Sequence, residues 1–88
     1  MVEYKILFRK SVEKDLLGIR GKDVIRILER IKSLENNPRP PGYEKLTGQD
    51  RYRLRQGQYR IVYSIQDNEL TIWVVAIGHR KDVYQKLP

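Results

Sequence analysis

The chain has no cysteine and a single histidine in its 88 residues. The first absence excludes a disulfide framework and a thiolate metal site; the second excludes a histidine metal cluster. No cofactor is expected. Long hydrophobic runs are missing too, since no stretch approaches the roughly 20 apolar residues of a membrane span. The opening "MVEYKILFRKSVEKDLL" breaks its apolar run with charges, unlike a secretory signal. There is no internal repeat and no low-complexity tract. The expectation is one cytoplasmic domain over residues 1–88, with a core large enough to fold alone and little more. Acidic residues are the scarcer charge: 18 Lys+Arg stand against 11 Asp+Glu, a formal +7. Such a bias in a short chain favours nucleic acid, an acidic protein or an anionic membrane surface as partner.

What is present divides into a helical first half and a strand-rich second half. Residues 2 to 8 read as a strand. Ser11 is placed to cap a helix through residue 20, with Val12, Leu16 and Ile19 at helical spacing. Gly18 and Gly21 mark its end and a tight turn. Over residues 22 to 36, Val24, Ile27, Leu28, Ile31 and Leu34 form one apolar stripe with charge on the other face, until "NNPRPPG" stops the helix. Residues 51–56, 58–66 and 69–78 alternate or run apolar and are rich in β-branched and aromatic side chains. The fold class expected is α+β, a helical hairpin packed on one face of a four-stranded antiparallel sheet, in the order β-α-α-β-β-β, with a short C-terminal helix over residues 82 to 87.

The stretch "RYRLRQGQYRIVYSI", residues 51 to 65, sets the register. With Gly57-Gln58 as a two-residue turn, glycine first, Tyr52 faces Tyr63 and Leu54 faces Ile61 on the core side. Arg53 then lies opposite Val62, and Arg55 opposite Arg60. A slip of one residue would mix the two faces. Arg51, Arg53, Arg55 and Arg60 thus converge on the open face, which suits an anion. A second two-residue turn at Asp67-Asn68 would send Leu70, Ile72, Val74 and Ala76 to the core. It would put Trp73, Val75 and Ile77 beside Val62 on the open face, an apolar strip that suggests a protein partner. The last strand runs back toward Gly57, so His79 and Arg80 are expected near Arg55 and Arg60, with Tyr84 following.

Several arginines, one histidine and one tyrosine without metal ligands suit RNA cleavage by internal transesterification. The 2′-hydroxyl of the RNA is its own nucleophile. The protein must align the bond, neutralise charge on the phosphorane-like transition state and move two protons. Arginine forks match phosphate oxygens. They stay protonated, so the proton movers are sought among His79, Tyr84 and Glu44. A basic strand face is by itself more often a binding surface than an active site. The residues alone therefore support phosphate binding and permit RNA cleavage.

"KLTG" (45–48), "RYRLRQGQYRIVYSI" (51–65) and "VVAIGHRKDVY" (74–84), after a βαα start, resemble the RelE/ParE superfamily of bacterial and archaeal toxins, on its RelE side. The resemblance covers nearly the whole chain. It implies an mRNA endoribonuclease acting in the ribosomal A site, made with a cognate antitoxin that blocks it. The family fold, two helices on a four-stranded antiparallel sheet, agrees with the reading above. Arg60 and Arg80 match the transition-state arginines, and Tyr84 matches the tyrosine of the C-terminal segment. Arg51 and Arg53 fall where the best-known RelE proteins carry lysines. They cannot act as a base and are assigned, with Arg55, to RNA phosphates. The base stays open between His79 and Glu44, because similar toxins use a glutamate and a histidine. The apolar strip Val62, Trp73, Val75 and Ile77 becomes the antitoxin ground, and a +7 chain suits an acidic antitoxin tail that folds on binding. Two other readings remain: a ParE-like toxin that inhibits gyrase and cleaves nothing, and a non-catalytic RNA-binding module.

Overall fold

Helical and alternating periodicities sort the chain into two layers. A computed structural model describes residues 3–48, 50–80 and 82–86. In chain order the elements are β1 (Lys5–Phe8), α1 (Lys10–Leu17), α2 (Gly21–Ser33), β2 (Glu44–Lys45), β3 (Tyr52–Gln56), β4 (Tyr59–Gln66), β5 (Thr71–His79) and a short 3₁₀ helix, Asp82–Lys86. Residue 2 of the expected first strand and residue 87 of the expected last helix lie outside the described residues. The N-cap of α1 is Arg9 rather than Ser11, and no side chain makes a capping hydrogen bond there.

The main core is one face of the sheet covered by the helices. Val12 of α1 and Ile27, Ile31 and Leu34 from α2 and its end pack on Leu54, Ile61, Tyr63, Ile72, Val74 and Ile77. Each fully buried aliphatic side chain of this kind is worth about 1.5–3 kcal/mol. Tyr63 also satisfies its phenol inside, donating to the Pro38 carbonyl at 2.8 Å, and burial pushes its pKa up. That bond ties the proline-rich loop after α2 to β4.

The sheet has five strands in the order β1-β5-β4-β3-β2. This corrects the all-antiparallel, four-stranded expectation in two ways. First, β1 pairs with β5 in parallel, Ile6 opposite Ile72. A long connection separates the two strands, and such a connection permits parallel pairing where a hairpin would not. Second, the two residues of β2 add an outer strand on β3, with Glu44 opposite Arg53.

The β3–β4 hairpin has the register expected of it: Tyr52 opposite Tyr63, Arg53 opposite Val62, Leu54 opposite Ile61, Arg55 opposite Arg60. Gly57 sits at φ 60°, while Gln58 keeps a negative φ, the sign pattern of a II′ turn.

The β4–β5 hairpin differs from the expectation. Its connection is a 3₁₀ turn, Asp67–Glu69, followed by Leu70 in the left-handed region at φ 49°, so Gln66 pairs with Thr71. Asp67 anchors the turn by accepting from Arg39 at 3.0 Å and from the Tyr4 hydroxyl at 2.7 Å. Leu70 is left exposed instead of in the core. Farther on, a β-bulge opposite Val62 and Tyr63 inserts one residue into β5. An extra residue exchanges the faces of everything beyond it. Ile77 therefore enters the main core, whereas Ala76 joins Val62 and Val83 in a second cluster on the other face. β1 stops opposite Val74, and α1 covers the continuation of β5; Asp15 accepts from the Ile77 backbone N–H at 3.0 Å.

The exposed strip of Val62, Trp73, Val75 and Ile77 consequently does not form. Val62 lies under Val83 of the short helix, Ile77 is in the core and Val75 is buried; only Trp73, at 39% exposure, remains on the surface.

Candidate active site

The open face of the sheet is divided by the short helix Asp82–Lys86. Val83 plugs onto Val62 and Ala76, with Leu46 and Tyr84 packed at the margin. This small apolar clasp fixes where Tyr84 stands. On the hairpin side of the clasp is a cleft of about 490 Å³ lined by Glu44, Arg53, Arg55, Arg60, Arg80 and Tyr84, with Gly42 at its rim. Four separate pieces of chain thus bring their side chains to one place.

Local sequence explains each position. Alternation on β3 puts Arg53 and Arg55 on the same side. Arg60 follows from the hairpin register. Gly78 lies opposite Arg60, so the cleft side of β5 carries no side chain there to crowd the guanidinium. Arg80 follows β5, and its backbone N–H donates to the Gln58 carbonyl at 3.0 Å, which ties it to the hairpin turn. Glu44 is set by the two-residue pairing of β2 with β3.

Arg53 is the hub of the cleft. Its Nη2 donates to Glu44 Oε2 at 2.9 Å, and its Nη1 donates to the Tyr84 hydroxyl oxygen at 2.9 Å. The guanidinium also lies 5.8 Å from the Tyr84 ring centre. The bond with Glu44, then the one with Tyr84, raises the Arg53 pKa still further, so this group stays cationic. Because Arg53 donates to the phenol oxygen, the phenol's own proton is directed elsewhere. Arg60 donates to the Tyr59 carbonyl at 3.1 Å and keeps further N–H groups for a ligand. Four arginines beside a phenol and a carboxylate can bind a phosphodiester, compensate added negative charge and exchange protons with it.

Two expected members are elsewhere. His79 faces the helix side of the sheet, edge-on to Tyr59 with ring centres 4.8 Å apart, in a depression shared with Arg20 and Arg26. The bulge is the reason: it puts Gly78 and Arg80 toward the cleft and turns His79 away. Arg51 is on the open face but beyond the clasp, beside Arg9, Ser64, Trp73 and Val75. Arg9 was invisible to strand alternation, because only the parallel pairing of β1 brings it there. Among the described residues no three His, Cys, Asp or Glu side chains gather as a metal site requires. No described helix is long and apolar enough to cross a membrane.

A model of the ParE toxin family of type II toxin–antitoxin systems matches residues 6–84 of the chain. A RelE-like toxin protein of Escherichia coli is 33% identical over 88 residues, 94% of this chain and 92% of the relative. Among solved structures, the RelE–RelB complex of Pyrococcus horikoshii aligns with TM-score 0.79 at 31% identity, over 91% of this chain and 97% of that one. A RelBE toxin–antitoxin complex of Mycobacterium tuberculosis aligns with TM-score 0.80, over 90% of this chain and 100% of that one; at 23% identity it speaks to the fold alone.

Proposed function

Because this chain belongs to the ParE toxin family of type II toxin–antitoxin systems, on its RelE-like side, we propose that it is a ribosome-dependent mRNA endoribonuclease. The observation that carries the reading is the convergence of Arg53, Arg55, Arg60, Arg80, Glu44 and Tyr84 on one cleft. A gyrase inhibitor that cuts nothing has no need of such a set.

In the reaction the 2′-oxygen of a nucleotide attacks the adjacent phosphorus and its proton leaves to a base. The P–O5′ bond breaks, and the departing oxygen takes a proton from an acid. The products are a 2′,3′-cyclic phosphate and a 5′-hydroxyl. Arg60 and Arg80 face the added charge of the transition state. Tyr84, whose oxygen already accepts from Arg53, has its proton to give to the leaving oxygen. Glu44 is the carboxylate at the cleft and takes the role of base; His79, on the opposite face, does not. Alignment of the codon on the ribosome supplies much of the acceleration, since fixed geometry is worth up to about 7–11 kcal/mol in favourable cases.

A cognate antitoxin is the protein partner in this reading, as RelB is in the solved complex from Pyrococcus horikoshii. With the open-face strip buried, its apolar ground is the helix side, where Phe8 and Leu28 are partly exposed around a groove with Val12 and Leu16. An acidic antitoxin segment complements the +7 charge.

The test is primer extension on mRNA in a reconstituted translation system, with the wild type and Arg80→Ala. Cuts in A-site codons that need ribosomes and disappear in the variant support the proposal. A folded wild type that arrests growth, leaves mRNA intact and blocks supercoiling by gyrase would overturn it.

A further inference from the structure

Beyond the clasp, on the same open face as the cleft, lies a second depression of about 330 Å³ lined by Arg9, Arg51, Ser64, Trp73 and Val75. Trp73 is the chain's single tryptophan and stands 39% exposed, between Leu7 on β1 and Ser64 on β4. Arg51 reaches the depression from just before β3 and Arg9 from the end of β1. Neither guanidinium has an ion-pair partner among the described residues. An aromatic ring facing solvent between two unpaired cations is costly decoration for a small surface. It is also the combination that holds single-stranded nucleic acid: a ring for one base and cations for the flanking phosphates.

We propose that Trp73, Arg9 and Arg51 form a nucleobase-stacking subsite for single-stranded RNA, outside the catalytic cleft and on the same face. The assignment rests on the ribonuclease reading and extends it to the nucleotides away from the cut. The position fits. Arg51, Arg53 and Arg55 alternate along one side of one stretch of chain, and four residues of strand span ~13 Å, so a strand of a few nucleotides held in the cleft passes over Trp73. The alternative occupant, an amphipathic protein helix, needs anchors at successive turns. Here Val62, Val75 and Ile77 are buried, and a lone ring is left.

The single tryptophan makes the test direct. The isolated chain is titrated with a 2′-O-methyl oligoadenylate of roughly eight nucleotides, within the usual single-strand site size and unable to undergo 2′-hydroxyl attack. Trp73 emission and the anisotropy of a labelled copy are read together. Inorganic polyphosphate is the base-free control, and an acidic aromatic peptide is the protein control. The expected result is quenching by the oligonucleotide and none by polyphosphate. Trp73→Ala is expected to weaken binding roughly 5- to 150-fold, and Trp73→Phe to restore most of it. Arg51→Ala is expected to lower the dependence of log K on log salt by ~0.7. Binding that depends on Arg80 but leaves Trp73 emission unchanged would overturn the subsite and spare the cleft. Quenching that survives Arg80→Ala with unaltered affinity would keep the subsite and count against the cleft. Quenching by the peptide alone would give the ring to a protein partner and overturn the proposal, and the absence of any oligonucleotide binding would overturn the subsite and leave the cleft to the primer-extension test.

Discussion

Truncating Val83 to alanine separates folding from function in this molecule. Val83 is fully buried, yet its neighbours form a small cluster apart from the main core, Val62 and Ala76 beneath with Leu46 and Tyr84 beside. Removing two methyl groups costs ~1.6 kcal/mol of transfer free energy at ~0.8 kcal/mol per group, before any cavity term. The other described tie of Tyr84 is its hydrogen bond from Arg53, a neutral-to-charged contact worth about 1.5–3 kcal/mol. The loss therefore falls mainly on docking of the short helix, and shifts that local equilibrium about 15-fold toward the undocked state. Global stability changes little, because the helices and their face of the sheet are untouched. Hydrogen exchange over residues 82–85 is expected to accelerate by about that factor. Messenger cleavage is expected to fall with it, by an amount that approaches 15-fold as the undocked state becomes dominant. Tyr84→Phe is the companion variant: it keeps the ring in the clasp but loses both the proton and the oxygen that accepts from Arg53, so it should lower cleavage by more than its own acceleration of exchange accounts for. Wild-type cleavage by Val83→Ala, in a sample whose exchange shows the undocked state to be the major one, would refute the idea that the clasp holds Tyr84 in a working position.

Three further outcomes follow from the geometry. Gly57→Val should lower the melting temperature by several degrees, since a left-handed φ costs a residue with a Cβ about 1–2 kcal/mol; open space around the site means that backbone strain alone is responsible, and Gly57→Asn should be milder. Asp67 has its pKa lowered by Arg39 first and by the Tyr4 hydroxyl second, so its stabilisation is present above the ordinary carboxylate range and lost as pH falls through the depressed folded value; the melting-temperature gap between wild type and Asp67→Asn should be full at pH 6 and close toward pH 2, and a gap independent of pH would contradict the assignment. His79→Ala should cleave at close to the wild-type rate in primer extension, because its ring faces away from the cleft, and a loss of a hundredfold or more would restore it to the proton-transfer step.

Legibility in the sequence followed physical cause. Alternation with period two, interrupted by one glycine, was enough to determine the β3–β4 register, and with it the placement of Arg53, Arg55 and Arg60. The same rule failed on β5. Ala76 and Ile77 are both apolar, so neither residue type shows that a bulge precedes them and reverses the faces. That one residue accounts for the misplacement of Ala76, Ile77 and His79. The direction of β1 was equally hidden, since hydrophobic alternation carries no sign of parallel or antiparallel pairing. For the same reason Arg9 was not foreseen beside Trp73. Arg80 followed from the direction of the last strand, whereas Glu44 and Tyr84 were candidates by residue type before the family resemblance, and the link Glu44–Arg53–Tyr84 needed the outer strand β2, too short to read from two residues.

The parallel pairing of β1 with β5 also governs the timetable of synthesis. Ile6 must wait for Ile72 before its strand has a neighbour, about 3–13 s at ordinary elongation rates. Until then the nascent helices have no complete sheet to cover their apolar sides, and the contact is among the most distant in the chain, which slows folding further. Arg80 and Tyr84 are made later still. A partly synthesised copy therefore cannot assemble the cleft, which exists only after the last strand has closed on the first and the short helix behind it has docked.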